Sequence, residues 1–207
     1  MSIVDLTYLI EPEMSLFPGV PKPVLTPAMT CEKDGCKVSI LETFSHVGTH
    51  VDAPGHMLPE GKNLDDLEVS NFCGKMIILD ARSMTQIGKR DIEKLPLADI
   101  DFVVLYTGWQ DKWGSEQYIH GYPLLTEEAA EFLAQADIKG VGMDTISIDA
   151  VDDSDFKNHK IVMSGGKIIV ENLTNLDKVG DGIHEAVFLP LKVKGFEGCP
   201  VRACAFL

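Results

Sequence analysis

A chain of 207 residues is long enough to bury a full core as one domain, spanning 1–207, without disulfides to hold it together. Thirty-two acidic against 18 basic side chains give a formal charge of −14, which repels phosphate backbones and anionic lipid, so neither nucleic acid nor a membrane is an expected partner. No run approaches the ~18 apolar residues of a spanning helix, and the opening MSIVDLTYLIEPEM lacks the basic and uninterrupted apolar parts of an export signal, so the expected compartment is the cytoplasm.

In chain order, Pro21, Pro23 and Pro27 come first; each removes a backbone donor, which predicts an irregular N-terminal arm around residues 10–30. Strand-like runs follow at 37–44, 75–80, 101–106, 140–144, 167–171, 186–193 and 201–207. A short helical piece is expected at 91–95. The clearest helix covers 126–138, with Thr126 as N-cap, Glu127 and Glu128 in the first turn, and Ala129, Phe132, Leu133 and Ala136 as its apolar stripe. A further helix is expected at 155–163, capped by Asp155 and ended by Gly165. Strands outnumber helices, so the fold class is α/β with a mixed, strand-rich core. Cys31, Cys36, Cys73, Cys199 and Cys204 are odd in number, scattered and without a C-x-x-C pair, which favours reduced thiols over disulfides or a thiolate zinc site.

The informative segment runs from Ser45 to His56. Three of the six histidines fall within these residues, with Asp52 among them. In an extended chain His46, Gly48, His50 and Asp52 share one face, and Val47, Thr49 and Val51 take the other, a β-branched surface suited to burial. Pro54-Gly55 then ends the strand and turns His56 back over the first face. A lone histidine on a strand is ordinarily a satisfied surface or core residue. Three with a carboxylate on one face point to a metal, and two imidazoles with a carboxylate suit zinc, manganese or iron while leaving positions free for water.

Other signals fall away. Gly165-Gly166-Lys167 lacks the spaced glycines of a phosphate loop, no G-x-S-x-G elbow is present, and His184-Glu185 has Phe188 where H-E-x-x-H needs its second histidine. The acidic run 149–155 reads as a solvated loop and cap. Trp109 and Trp113 are candidate aromatic walls, with core packing the commoner role for such residues.

The stretch His46-Val-Gly-Thr-His-Val-Asp-Ala-Pro-Gly-His56 resembles the H-x-G-T-H-x-D-A-P-x-H signature of the cyclase-like metal-dependent hydrolases, a family of bacterial kynurenine formamidase and isatin hydrolase type. Asp5-Leu-Thr, Phe17-Pro-Gly, Thr107-Gly-Trp109, the 142–149 segment, His159, Glu171-Asn-Leu-Thr and Pro200-Val-Arg-Ala203 follow in the family's order. The resemblance implies a swivelling β/β/α domain, a homodimer or higher homo-oligomer, and two divalent metal ions, zinc first and manganese as the alternative. By position it implies that His46 and His50 hold one ion, that Asp52 bridges, and that His159 and Glu171 serve the other. His56 matches the proton donor and acceptor, and Phe17 stands where kynurenine formamidases carry a substrate-packing tryptophan. The activity implied is hydrolysis of an amide, N-formylkynurenine to kynurenine plus formate. The alternatives are an isatin-type cyclic amide or lactone hydrolase, or a non-catalytic metal-binding member.

Overall fold

The structure, a computed structural model, describes residues 2–207. Twelve strands occur among them: β1 (Ile3–Asp5), β2 (Val24–Met29), β3 (Val38–Glu42), β4 (His50–Asp52), β5 (Cys73–Asp80), β6 (Gln86–Ile87), β7 (Phe102–Tyr106), β8 (Leu124–Leu125), β9 (Gly140–Met143), β10 (Ile168–Glu171), β11 (Ile183–Pro190) and β12 (Gly198–Phe206). The α-helices are α1 (Cys31–Asp34), α2 (Lys89–Ile92), α3 (Glu127–Gln135) and α4 (Lys157–Ser164).

The main sheet runs β1-β12-β11-β5-β7-β9-β10-β4, and β4 also pairs with β12, so seven strands close into a ring. Closure depends on the length of β12. Its first residues, Gly198–Pro200, pair with β4, and its last, Cys204–Phe206, pair with β1. The β5–β7–β9–β10 run is parallel and the remaining pairs antiparallel, a mixed, strand-rich α/β architecture.

Strand β7 shows why the ring has two apolar faces. Its five residues are all buried, as parallel strands with both faces covered require. Phe102 and Val104 point inward, where Phe102 meets Phe188 of β11 edge to face at 5.0 Å. Val103 and Leu105 point outward under α3 and α4, packing with Leu133 and Val162. Thr126 caps α3 as its sequence suggests, accepting from the Ala129 N–H at 3.1 Å, but the helix stops at Gln135 because Ala136 is extended.

Three expectations need correction. Residues 24–29 are not irregular: they form β2, and Pro27 borders the register shift between Pro27 and Met29, the kind of bulge where a sheet tolerates proline. Helix α2 starts at Lys89, earlier than 91–95. Helix α4 is not capped by Asp155; its N-cap is Phe156, in left-handed backbone at φ 49°. No helix among the described residues is long and apolar enough to cross a membrane. All five cysteines are free.

Candidate metal centre

Strand β4 contributes two of the candidate ligands directly. His50 and Asp52 are both buried and share a face, while Val51 on the opposite face enters the ring core. His50 Nε2 lies 3.3 Å from Asp52 Oδ1. His46 reaches the same oxygen by a different route from the alternation its spacing suggests. The strand covers only His50–Asp52, and Gly48 turns the chain with φ +59°. That turn carries His46 back until its Nδ1 stands 2.6 Å from Asp52 Oδ1. Val47, Thr49 and Val51 are buried as expected.

The distant candidates arrive through the sheet and α4. Glu171 ends β10 directly opposite His50 in the antiparallel β4–β10 pair, with Oε2 3.6 Å from His50 Nε2. His159 lies in the first turn of α4, its Nε2 3.3 Å from Glu171 Oε1 and 3.9 Å from Asp52 Oδ2. His56 is the last residue of a short 3-10 turn, Pro54–His56; its ring stacks on His46 at 3.9 Å and lies 6.0 Å from His159.

Two imidazoles are fixed from behind. The Nδ1 of His50 is 2.8 Å from the Gly48 carbonyl, which also accepts from Asn172 Nδ2 at 2.9 Å. His159 Nδ1 is 2.7 Å from Asp149 Oδ2. In each case an Nδ1–H donated backward leaves Nε2 facing the site, the usual outer-shell arrangement for a metal-binding histidine. Asp149 also accepts from the Asn158 and His159 N–H groups and so anchors the start of α4. This corrects the solvated reading of 149–155: Asp149 is buried and structural. Its partners lie nine and ten residues on, beyond any short motif.

The electrostatics call for a cation. Burial alone would depress His50, but Asp52 and Glu171 carry it up to about 9. Burial likewise opposes the charged form of His159, and Asp149 with Glu171 raises it to about 10. Asp52, despite burial, is held well below the usual carboxylate range by His50 and His46. Protons on imidazoles are thus the local counter-charge to buried carboxylates. Asp52 Oδ2 is buried without a hydrogen-bond partner among the described residues, an orphan that ordinarily carries a cost of about 1–3 kcal/mol or more. Two donor groups, His46/Asp52/His56 and His50/Asp52/Glu171, have ligand atoms within 4.8 Å of one another. A nitrogen and carboxylate-oxygen set with an orphaned oxygen fits a divalent ion such as zinc or manganese.

His56 differs from its neighbours. Burial lowers it, Asp52 opposes, and the surrounding imidazoles lower it further, to about 4. With that value the ring is unprotonated at neutral pH.

A cavity of about 280 Å³ opens over these groups, walled by Phe17, Phe44, Phe156, Val20, Met57 and Ile146. Phe17 lies where the sequence suggests, its ring 6.3 Å from that of Phe156. Sequence reasoning missed Phe44 and Phe156, which carry no motif. Trp109 and Trp113 do not line this cavity; they pack around Tyr118, and Trp113 stacks on Tyr8 at 3.8 Å. Cys199 is a buried thiol, raised by that burial.

Residues 4–150 match the family model described as putative cyclase. The kynurenine formamidase of Bacillus thuringiensis (strain Al Hakam) is 32% identical over 201 residues, covering 97% of this chain and 95% of that protein. Among solved structures, a potential metal-dependent hydrolase with cyclase activity superposes with a TM-score of 0.82 at 28% identity, over 99% of this chain and 96% of the other. An isatin hydrolase bound to the product analogue thioisatinate superposes with a TM-score of 0.88 at 24% identity, over 99% and 92%, a likeness of fold. With its H-x-G-T-H-x-D segment at the centre of a buried donor cluster, the chain belongs to the cyclase family.

Proposed function

We propose that this chain is a metal-dependent hydrolase cleaving a C–N amide bond, of the arylformamidase kind that turns N-formylkynurenine into kynurenine and formate. The observation that carries the reading is the position of Asp52, whose Oδ1 faces His46 and His50 while its orphaned Oδ2 faces His159. In this reading His46, His50 and Asp52 would hold one divalent ion, and His159 and Glu171, with Asp52, would hold a second. Zinc is the first choice and manganese the second. Kynurenine formamidases related over nearly the whole chain support the substrate class.

A divalent ion held there supplies Lewis acidity, which brings the ionisation of water within reach of neutral pH and polarises a carbonyl. His56 handles the proton. Its unprotonated ring accepts a proton from water as the water oxygen bonds to the formyl carbon, then delivers it to the amine nitrogen as the C–N bond breaks. The cavity aromatics, Phe17 first, give the substrate ring an apolar wall. The metal-loaded protein should be assayed on N-formylkynurenine, isatin and simple lactones. The highest kcat/KM on N-formylkynurenine is expected. A preference for isatin or a lactone replaces the substrate, and no turnover at full metal occupancy contradicts the enzyme reading in favour of a metal-binding protein.

The same proposal includes a single swivelling β/β/α domain in the cytoplasm, where free thiols persist, assembled as a homodimer or higher homo-oligomer. The β2–β3 hairpin supports the assembly. Every residue of both strands is exposed, including Val24, Leu25, Met29, Val38, Ile40 and Leu41. A lone two-stranded hairpin is marginal in water, and apolar side chains on both faces suit burial against a second copy.

A further inference from the structure

The proposed ligands His50 and His159 each have an acceptor behind the ring, and His46 has one too: Glu197, just ahead of β12. Its backbone is fixed by the strand that closes the ring, since the Ala53 N–H donates to the Glu197 carbonyl at 2.8 Å and the next residue, Gly198, pairs with Asp52. Its side chain is held as well, with the Ser45 hydroxyl donating to Oε1 at 2.8 Å. That same oxygen stands 3.2 Å from His46 Nε2. The other ring nitrogen, Nδ1, faces Asp52 Oδ1, the oxygen shared with His50. Gly198 completes the seat, because a Cβ there would fall 2.6 Å from His46 Nε2 and 2.8 Å from Nδ1. The ring therefore lies against bare backbone.

We infer that Glu197 is a positioning residue for the metal centre: it accepts the His46 Nε2–H and so holds the ring in the tautomer and orientation that present the Nδ1 lone pair to the site. This rests on the metal-binding reading above. It adds a residue outside the H-x-G-T-H-x-D segment, 151 positions along the chain from the histidine it serves. Ser45 acts through Glu197 by fixing its carboxylate.

The test is zinc titration of the metal-stripped protein against a chromophoric chelator, with side-chain ¹⁵N NMR of the histidines. Glu197→Ala should weaken zinc binding by roughly 10–100-fold, the usual effect of losing an outer-shell partner, and should shift the His46 ring signals toward a mixture of tautomers. Glu197→Gln, whose amide oxygen still accepts an N–H, should recover most of the affinity. Ser45→Ala should lose several-fold, and it keeps the question answerable if Glu197→Ala does not fold. Parent-like affinity and an unchanged tautomer in folded Glu197→Ala or, failing that, in Ser45→Ala overturn the positioning role alone. A parent protein that takes up no zinc overturns the metal centre and this role with it.

Discussion

His50 and Glu171 face each other across the β4–β10 pair, with Nε2 and Oε2 3.6 Å apart, although 121 positions separate them in sequence. The sheet register therefore sets the spacing of these two proposed ligands. Glu171→Gln keeps the shape and the acceptor for the Ile148 N–H but removes a charge. It should weaken divalent-ion binding at least as much as the roughly 10–100-fold cost of an outer-shell loss. Unchanged affinity by calorimetry would remove Glu171 from the ligand set.

His50 and His159 give the metal-stripped protein a pH signature. Their folded-state values are raised, to about 9 and about 10, above the ordinary 6.5. A raised value means stability fully present below the unfolded pKa and lost as pH rises through the folded one. Melting temperature of the stripped protein should accordingly fall between about pH 6.5 and 10, while the zinc-loaded protein, whose counter-charge is the ion, should resist that fall. Parallel pH curves with and without zinc would contradict this account of the site's charge.

His56→Ala should leave zinc binding and melting temperature near those of the parent, since the proposed ligand set does not include His56 and its ring is only partly buried. Turnover should drop by about 10²–10⁴-fold, the usual span for a lost general base. Turnover at the parental rate would rule the proton-transfer role out.

Gly48→Ala tests the turn. Its φ of +59° disfavours a side chain, and the new Cβ would fall 2.9 Å from the buried Met14 Cε. Destabilisation of about 1–3 kcal/mol is expected from the strain, with weaker ion binding as His46 is displaced from His50. Chemical denaturation and zinc titration report the two effects separately; a parental value in both would show that the turn does not set the ligand spacing.

The hairpin is tested by paired Leu25→Lys and Leu41→Lys, which face each other across β2–β3. An oligomer in the parent and a monomer in the double variant, by analytical ultracentrifugation, is the expected result. A parent that is monomeric at all concentrations contradicts the assembly.

Legibility in the sequence followed contact distance. Strands β5, β7 and β12 show themselves as apolar runs, whereas three-residue β1 is too short to show a period and owes its existence to pairing with β12. His46, His50 and Asp52 are legible because all three lie within seven residues, yet a period of two suggests one strand where the left-handed Gly48 makes a turn. His159 and Glu171 were legible only through family resemblance, since α4 and β10 bring them in from more than a hundred positions away. Asp149 reads as a solvated acid because nothing local reveals that it meets the start of α4. Phe156 was hidden by Asp155, a better capping type at the wrong position.

Turnover of N-formylkynurenine by metal-stripped protein, followed as zinc or manganese is added back, decides whether hydrolysis depends on the metal. No turnover is expected in the stripped protein, with recovery that saturates once the site is filled. Full turnover by a protein shown by elemental analysis to hold no metal would contradict that dependence.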